Sequence, residues 1–114
     1  MQNKEYISLQ KMIEYIEKSL EYVKGYDYEM FVNDNKTVDA TIFNISQVGE
    51  LVKNISDATK NKYTNIEWNM IKGLRNRIIH DYEGINLKSI WYILQNDIIE
   101  LKKQIQEILN NEKN

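Results

Sequence analysis

Gly73-Leu74-Arg75-Asn76-Arg77-Ile78-Ile79-His80-Asp81-Tyr82-Glu83-Gly84 carries the helical repeat on which the fold reading rests. Leu74 and Ile78 stand four apart, and Trp68 and Ile71 extend the same stripe upstream, so this is a helix with one inward edge. Gly84 sits where helices commonly end. The segment also holds the only histidine and both arginines of the chain; every other basic side chain is lysine. Arginine keeps its charge and grips phosphate through a planar fork. Histidine is the side chain that moves a proton near neutral pH.

Working outward, Thr64 and Glu67 have the offset of a capping box before this third helix. Downstream, Asn86 can cap a fourth helix from Leu87 to about Leu109, with Ile90, Leu94, Ile98, Leu101, Ile105 and Ile108 inward. Upstream, a polar loop is expected over Asp57 to Tyr63. Before it, a second helix starts near Asp34 or Asn35 and continues to about Ala58. Its stripe is Val38, Ile42, Ile45, Val48, Val52 and Ile55. Gly49 lies inside it and costs about 1 kcal/mol against Ala, which close packing on another helix would explain. Glu50 reads as a solvated residue. The first helix spans about Glu5 to Lys24, with Tyr6, Leu9, Ile13, Ile16, Leu20 and Val23 inward, and Gly25 stops it. In the connector after it, Tyr28 and Phe31 are expected to anchor a short extra helical turn to the core. Trp68 and Trp91 read as packing residues. The economical architecture is all-α: an antiparallel four-helix bundle.

Composition narrows the function. The 114 residues suit one domain, with 110–114 as a frayed tail. Proline is absent and glycine occurs four times, which favours helices. Absence of cysteine removes thiolate chemistry and disulfides, and a lone histidine makes a structural zinc site improbable. The start of the chain has no apolar core of a signal peptide, and no apolar run approaches membrane-spanning length. A cytoplasmic protein without membrane contact is expected. The net charge of −2 argues against nucleic-acid binding by the whole surface. A local patch exists instead, since Lys72, Arg75 and Arg77 occur with no acid between them.

On a helical wheel started at Arg75, Ile71, Ile78 and Tyr82 fall between about −60° and −20°, toward the core. Lys72, Asn76 and His80 fall at about 60°, 100° and 140°. Lys72, Arg75, Asn76 and His80 thus form a basic sector with a proton-transfer group, and Asn76 and His80 are neighbours. Arg75 and His80 are five residues apart, awkward for direct contact on one regular helix. A distorted last turn or a second copy across a two-fold axis would resolve this. The same residues also have an ordinary reading, as surface ion pairs with Asp81 and Glu83 and as packing by Tyr82.

The string Arg75-Asn76-Arg77-Ile78-Ile79-His80-Asp81-Tyr82 has the form R-x4-H-x-Y and resembles the signature of HEPN-superfamily ribonucleases. More narrowly, Trp68 through Asn86 is similar to the HepT-type toxins. Phe31, Ala40 and Val48-Gly49-Glu50 match that family's F…D-A…GEA pattern, and Trp91 with Asn96-Asp97 its W…ND pattern. Glu67 stands where the family usually has Pro, and Leu51 where it has Ala. The resemblance implies a HEPN-like bundle forming a homodimer. It implies a metal-independent, cofactor-free endoribonuclease acting as the toxin of a type VII toxin–antitoxin system. The partners implied are an RNA substrate and an MNT-type nucleotidyltransferase antitoxin that adds AMP to a tyrosine. Carried over, Arg75 and His80 are catalytic, Asn76 supports them, and Tyr82 accepts AMP. From the basic patch, Lys72 and Arg77 are expected to bind substrate. The alternative is a HEPN module that binds nucleotide or regulates the nucleotidyltransferase without cleaving RNA.

Overall fold

A computed structural model describes residues 1–84 and 86–113; Ile85, part of the motif-bearing string, and Asn114 lie outside the described residues. Among the described residues eight α-helices follow one another: α1 (Asn3–Tyr22), α2 (Tyr28–Val32), α3 (Asn35–Leu51), α4 (Asp57–Lys62), α5 (Trp68–Lys72), α6 (Leu74–Glu83), α7 (Leu87–Tyr92) and α8 (Ile98–Asn111). A 3-10 turn, Val52–Asn54, follows α3, and a π turn, Ile93–Asp97, joins α7 to α8. Among the described residues there is no strand, and no helix is long and apolar enough to cross a membrane.

The helices stack as four columns, α1, α3, α5 with α6, and α7 with α8. Column α1 packs on α3, α3 on α6, α6 on α7, and α8 returns to α1. The expected stripes meet in one apolar core, where Leu9, Ile16, Ile45, Ile78, Ile90, Leu94 and Ile105 are fully buried. Gly25 takes a φ of +78°, the left-handed backbone that lets the chain leave α1. Asp34 caps α3 by accepting from the Thr37 amide at 3.1 Å, and Asn86 caps α7. The short extra helix is α2. Phe31 is buried there and its ring lies 5.1 Å from that of Trp91, with Tyr28 6.4 Å away on the same indole.

Several boundaries differ from the sequence reading. The second helix ends at Leu51 rather than near Ala58, and Asp57 to Lys62 is a helix rather than a loop. Ser56 causes this: its hydroxyl accepts from the Thr59 amide and starts α4. Glu5 then ties α4 to α1, accepting from Ser56 N at 2.7 Å and Thr59 Oγ1 at 2.8 Å. Thr64 and Glu67 form no capping box, and Glu67 starts α5 without a side-chain bond. Instead Ile66 is buried and Trp68 Nε1 reaches back to the Tyr63 carbonyl at 3.0 Å. Among the described residues, α8 continues to Asn111. Glu112 accepts from Lys62 Nζ at 2.8 Å and from the Tyr63 hydroxyl at 2.5 Å.

Candidate functional site

The third column breaks at Gly73, between α5 and α6. Gly49 on α3 faces that break. A Cβ built on Gly49 would lie 3.0 Å from the Ile71 carbonyl oxygen and 3.1 Å from the Arg75 amide nitrogen. Only glycine lets the two backbones approach this closely, which is the close packing that its mid-helix position suggested. The contact sets the height and rotation of α6 against α3, and with them the position of Arg75.

Arg75 emerges half-exposed beside Gly49, and its Nε lies 3.4 Å from Glu50 Oε1. Lys53 Nζ approaches the other oxygen of Glu50 at 3.8 Å. Glu50 is thus exposed, as expected, but is a partner of Arg75 rather than a bystander. Exposed pairs of this kind contribute about 0–1 kcal/mol, so an incoming phosphate can replace the carboxylate at small cost.

Tyr82 does not face the core. It is 40% exposed and its hydroxyl donates to Asp39 Oδ1 on α3 at 2.6 Å. The wheel placed it inward because it assumed an unbroken helix. With α6 pinned through Gly49, Leu74 and Ile78 fill the core and the edge bearing Arg75, Ile79 and Tyr82 lies along α3. The hydrogen bond to Asp39, and that carboxylate's charge, raise the Tyr82 pKa above its ordinary value, so the phenol is protonated at neutral pH. Arg75, Ile79 and Tyr82 line one side of a groove of about 420 Å³, and Asp39, Ile42, Phe43, Ser46 and Gln47 line the other.

His80 points to solvent, with its side chain 88% exposed and Nδ1 3.8 Å from Asp81 Oδ1. Asp81 is buried, and its Oδ2 has no hydrogen-bond partner among the described residues. Lys72 and Asn76 are exposed. Arg77 leaves α6 on another side, where its Nη1 lies 3.7 Å from Asp97 Oδ2 and it lines a separate groove with Met70, Leu74 and Leu101. One chain therefore brings Arg75 and Tyr82 into one groove, leaves Asn76 and His80 on open surface, and takes Arg77 elsewhere.

Sequence reasoning passed over Asp39, Ser46 and Phe43. A signal was present: Asp39, Phe43, Ser46 and Glu50 recur every three or four residues, a second stripe beside the core stripe of α3. Its mixed chemistry hid it, because periodicity is usually sought in apolar residues.

Comparison with known proteins gives the family. The model of the family described as ribonuclease HepT-like matches residues 12–108. A candidate RNase of Caldanaerobacter subterraneus subsp. tengcongensis is 36% identical over 105 residues, covering 92% of this chain and 94% of that protein. One from Methanocaldococcus jannaschii is 32% identical over 103 residues, 90% of this chain and 85% of that one. A protein of Thermococcus cleftensis, named probable ribonuclease HepT, is 30% identical over 100 residues, 88% of this chain and 91% of its own. No solved structure matches. On the match over nearly its whole length, the chain belongs to the HepT-like ribonuclease family.

Proposed function

We propose that this chain is a metal-independent endoribonuclease, the toxin of a type VII toxin–antitoxin system, that cleaves RNA through Arg75 and His80. The observation that carries the reading is the presentation of both side chains to solvent on α6 in a chain of this family. Cleavage needs a base for the ribose 2′-hydroxyl, an acid for the departing 5′-oxygen and positive charge on the phosphorane. Arg75 releases Glu50 and holds the phosphorane oxygens. His80 moves the proton. Asn76, one turn before His80, orients it or the substrate. Lys72 adds charge at the substrate's approach, and Arg77 acts at longer range from its own side of α6. The need for a 2′-hydroxyl selects RNA over DNA.

His80 stands on open surface, where water has free access and nothing orients a substrate. A homodimer that sets α6 against its copy supplies the missing wall. It also supplies two histidines to divide the acid and base roles. Tyr82 is the acceptor for AMP from an MNT-type nucleotidyltransferase antitoxin. Its hydroxyl is reachable and shares a groove with Arg75. A phosphodiester attached there brings negative charge beside Arg75 and competes with substrate phosphate.

The test is cleavage of a labelled tRNA pool in EDTA by wild type, Arg75→Ala and His80→Ala. Wild type should leave 2′,3′-cyclic phosphate ends, and each variant should lose about 10²–10⁴-fold in rate. Intact RNA with unmodified, dimeric wild type across several substrates would favour the non-catalytic module, in which Tyr82 matters mainly as the partner's substrate.

A further inference from the structure

We infer that Asp39 is the base that takes the phenolic proton when Tyr82 becomes a nucleophile, and that the groove beside it seats the transferred nucleotide. The inference rests on Tyr82 being the acceptor. Asp39 accepts from Tyr82 Oη at 2.6 Å, across two separate helices. Asp39 is exposed on α3. It is therefore not needed to satisfy a buried hydroxyl, which water would satisfy equally well. The phenol is held protonated at neutral pH, so its proton must leave during the transfer and needs somewhere to go.

The groove shows independent signs of a ligand. Ser46 is buried, lines the groove, and has an Oγ with no hydrogen-bond partner among the described residues. Phe43 lines the same groove with 58% of its surface exposed, its ring in an edge contact with Tyr15 at 6.5 Å, and offers exposed aromatic surface against which a nucleobase can stack. Arg75 supplies the positive charge for a phosphate. Asp39, Arg75 and Tyr82 are the charged or titratable groups that line the groove, from α3 and α6 together.

The step balances with a nucleoside triphosphate as co-reactant. Tyr82 Oη attacks the α-phosphorus and the new Oη–P bond forms. The bond from that phosphorus to the bridging oxygen of the β-phosphate breaks and pyrophosphate leaves. The phenolic proton passes to Asp39 Oδ1 and then to solvent.

The experiment incubates the full chain with an MNT-type nucleotidyltransferase and ATP labelled at the α-phosphate, comparing wild type, Tyr82→Phe, Asp39→Asn and Asp39→Glu. Asp39→Asn keeps an oxygen that accepts from Tyr82 but does not take its proton. Labelling should vanish in Tyr82→Phe. In Asp39→Asn it should fall about 100-fold at neutral pH. The deficit should shrink as rising pH ionises the phenol unaided, and Asp39→Glu should recover most of the rate. No label on wild type overturns the acceptor reading and this inference with it. Label on wild type with an equal rate in Asp39→Asn overturns the inference alone. So does a deficit in Asp39→Asn that is the same at every pH, since that is the mark of a merely structural contact.

Discussion

Two buried carboxylates stand in opposite condition. Glu5 accepts from Gln2 N at 3.1 Å, Ser56 N at 2.7 Å and Thr59 Oγ1 at 2.8 Å, so both its oxygens are used. Asp81 is also buried, yet among the described residues one oxygen has no partner and the other has His80 Nδ1 at 3.8 Å. Glu5 closes α1 against α4, away from the proposed site. Asp81 sits in the last turn of α6, where the helix dipole disfavours negative charge. Satisfied buried groups hold a fold together, and unsatisfied ones mark places where something other than stability set the residue.

Breaking the satisfied member should have the largest effect on stability. Burial alone would raise the Glu5 pKa, but the hydrogen bonds from Ser56, Thr59 and the Gln2 backbone outweigh it and hold it at about 2, against 4.5 ordinarily. A depressed carboxylate stabilises the fold above its unfolded pKa. That contribution disappears as pH falls from about 4.5 to about 2. Glu5→Gln should cost about 2–3 kcal/mol near neutrality. It should also flatten the acid limb of stability against pH, read by urea denaturation at a series of pH values. Glu112, likewise held at about 2 by Lys62 and Tyr63, titrates in the same window, so some slope should survive in the variant.

A change at Gly49 tests the link between packing and site. Gly49→Ala puts a methyl 3.0 Å from one backbone atom and 3.1 Å from another, neither of which can swing aside. Column α3 must then move from α6, at about 1–3 kcal/mol. The variant should lose RNA cleavage beyond what its stability predicts, because Arg75 moves with α6. A folded Gly49→Ala protein cleaving at the wild-type rate would show that Arg75 tolerates the shift.

The core of the bundle was legible because burial needs only apolar side chains at three- and four-residue spacing. Leu9, Ile45, Ile78, Ile90 and Ile105 needed no knowledge of their neighbours. Residues whose role depends on a partner helix were not. Ser56 reads as one more polar loop residue until Glu5 is beside it. Glu50 reads as solvated until Gly49 brings Arg75 alongside. Tyr82 lay about 20° from Arg75 on the wheel. Whether so narrow an edge faced core or groove was decided by the break at Gly73, a property of the packed column rather than of its local sequence. Arg75, Asn76 and His80 were found for a different reason. Their residue types are rare in this chain, and rarity can be counted without a structure.

The unsatisfied member predicts the smallest change in stability, and its sign is informative. Asp81→Asn keeps shape and volume, removes charge from the negative end of α6, and gives the former orphan position hydrogens to donate. Breaking a satisfied buried carboxylate costs several kcal/mol, but Asp81 Oδ2 has no hydrogen bond to lose among the described residues. Chemical denaturation should therefore find Asp81→Asn within about 1 kcal/mol of wild type, on the stabilising side. A loss above about 2 kcal/mol would mean that Asp81 is held as firmly as Glu5, and the contrast between the two ends of the molecule would be void. If stability holds while RNA cleavage falls, the cost of burying Asp81 was accepted for the neighbouring His80. The carboxylate would then belong to the site although it faces away from solvent.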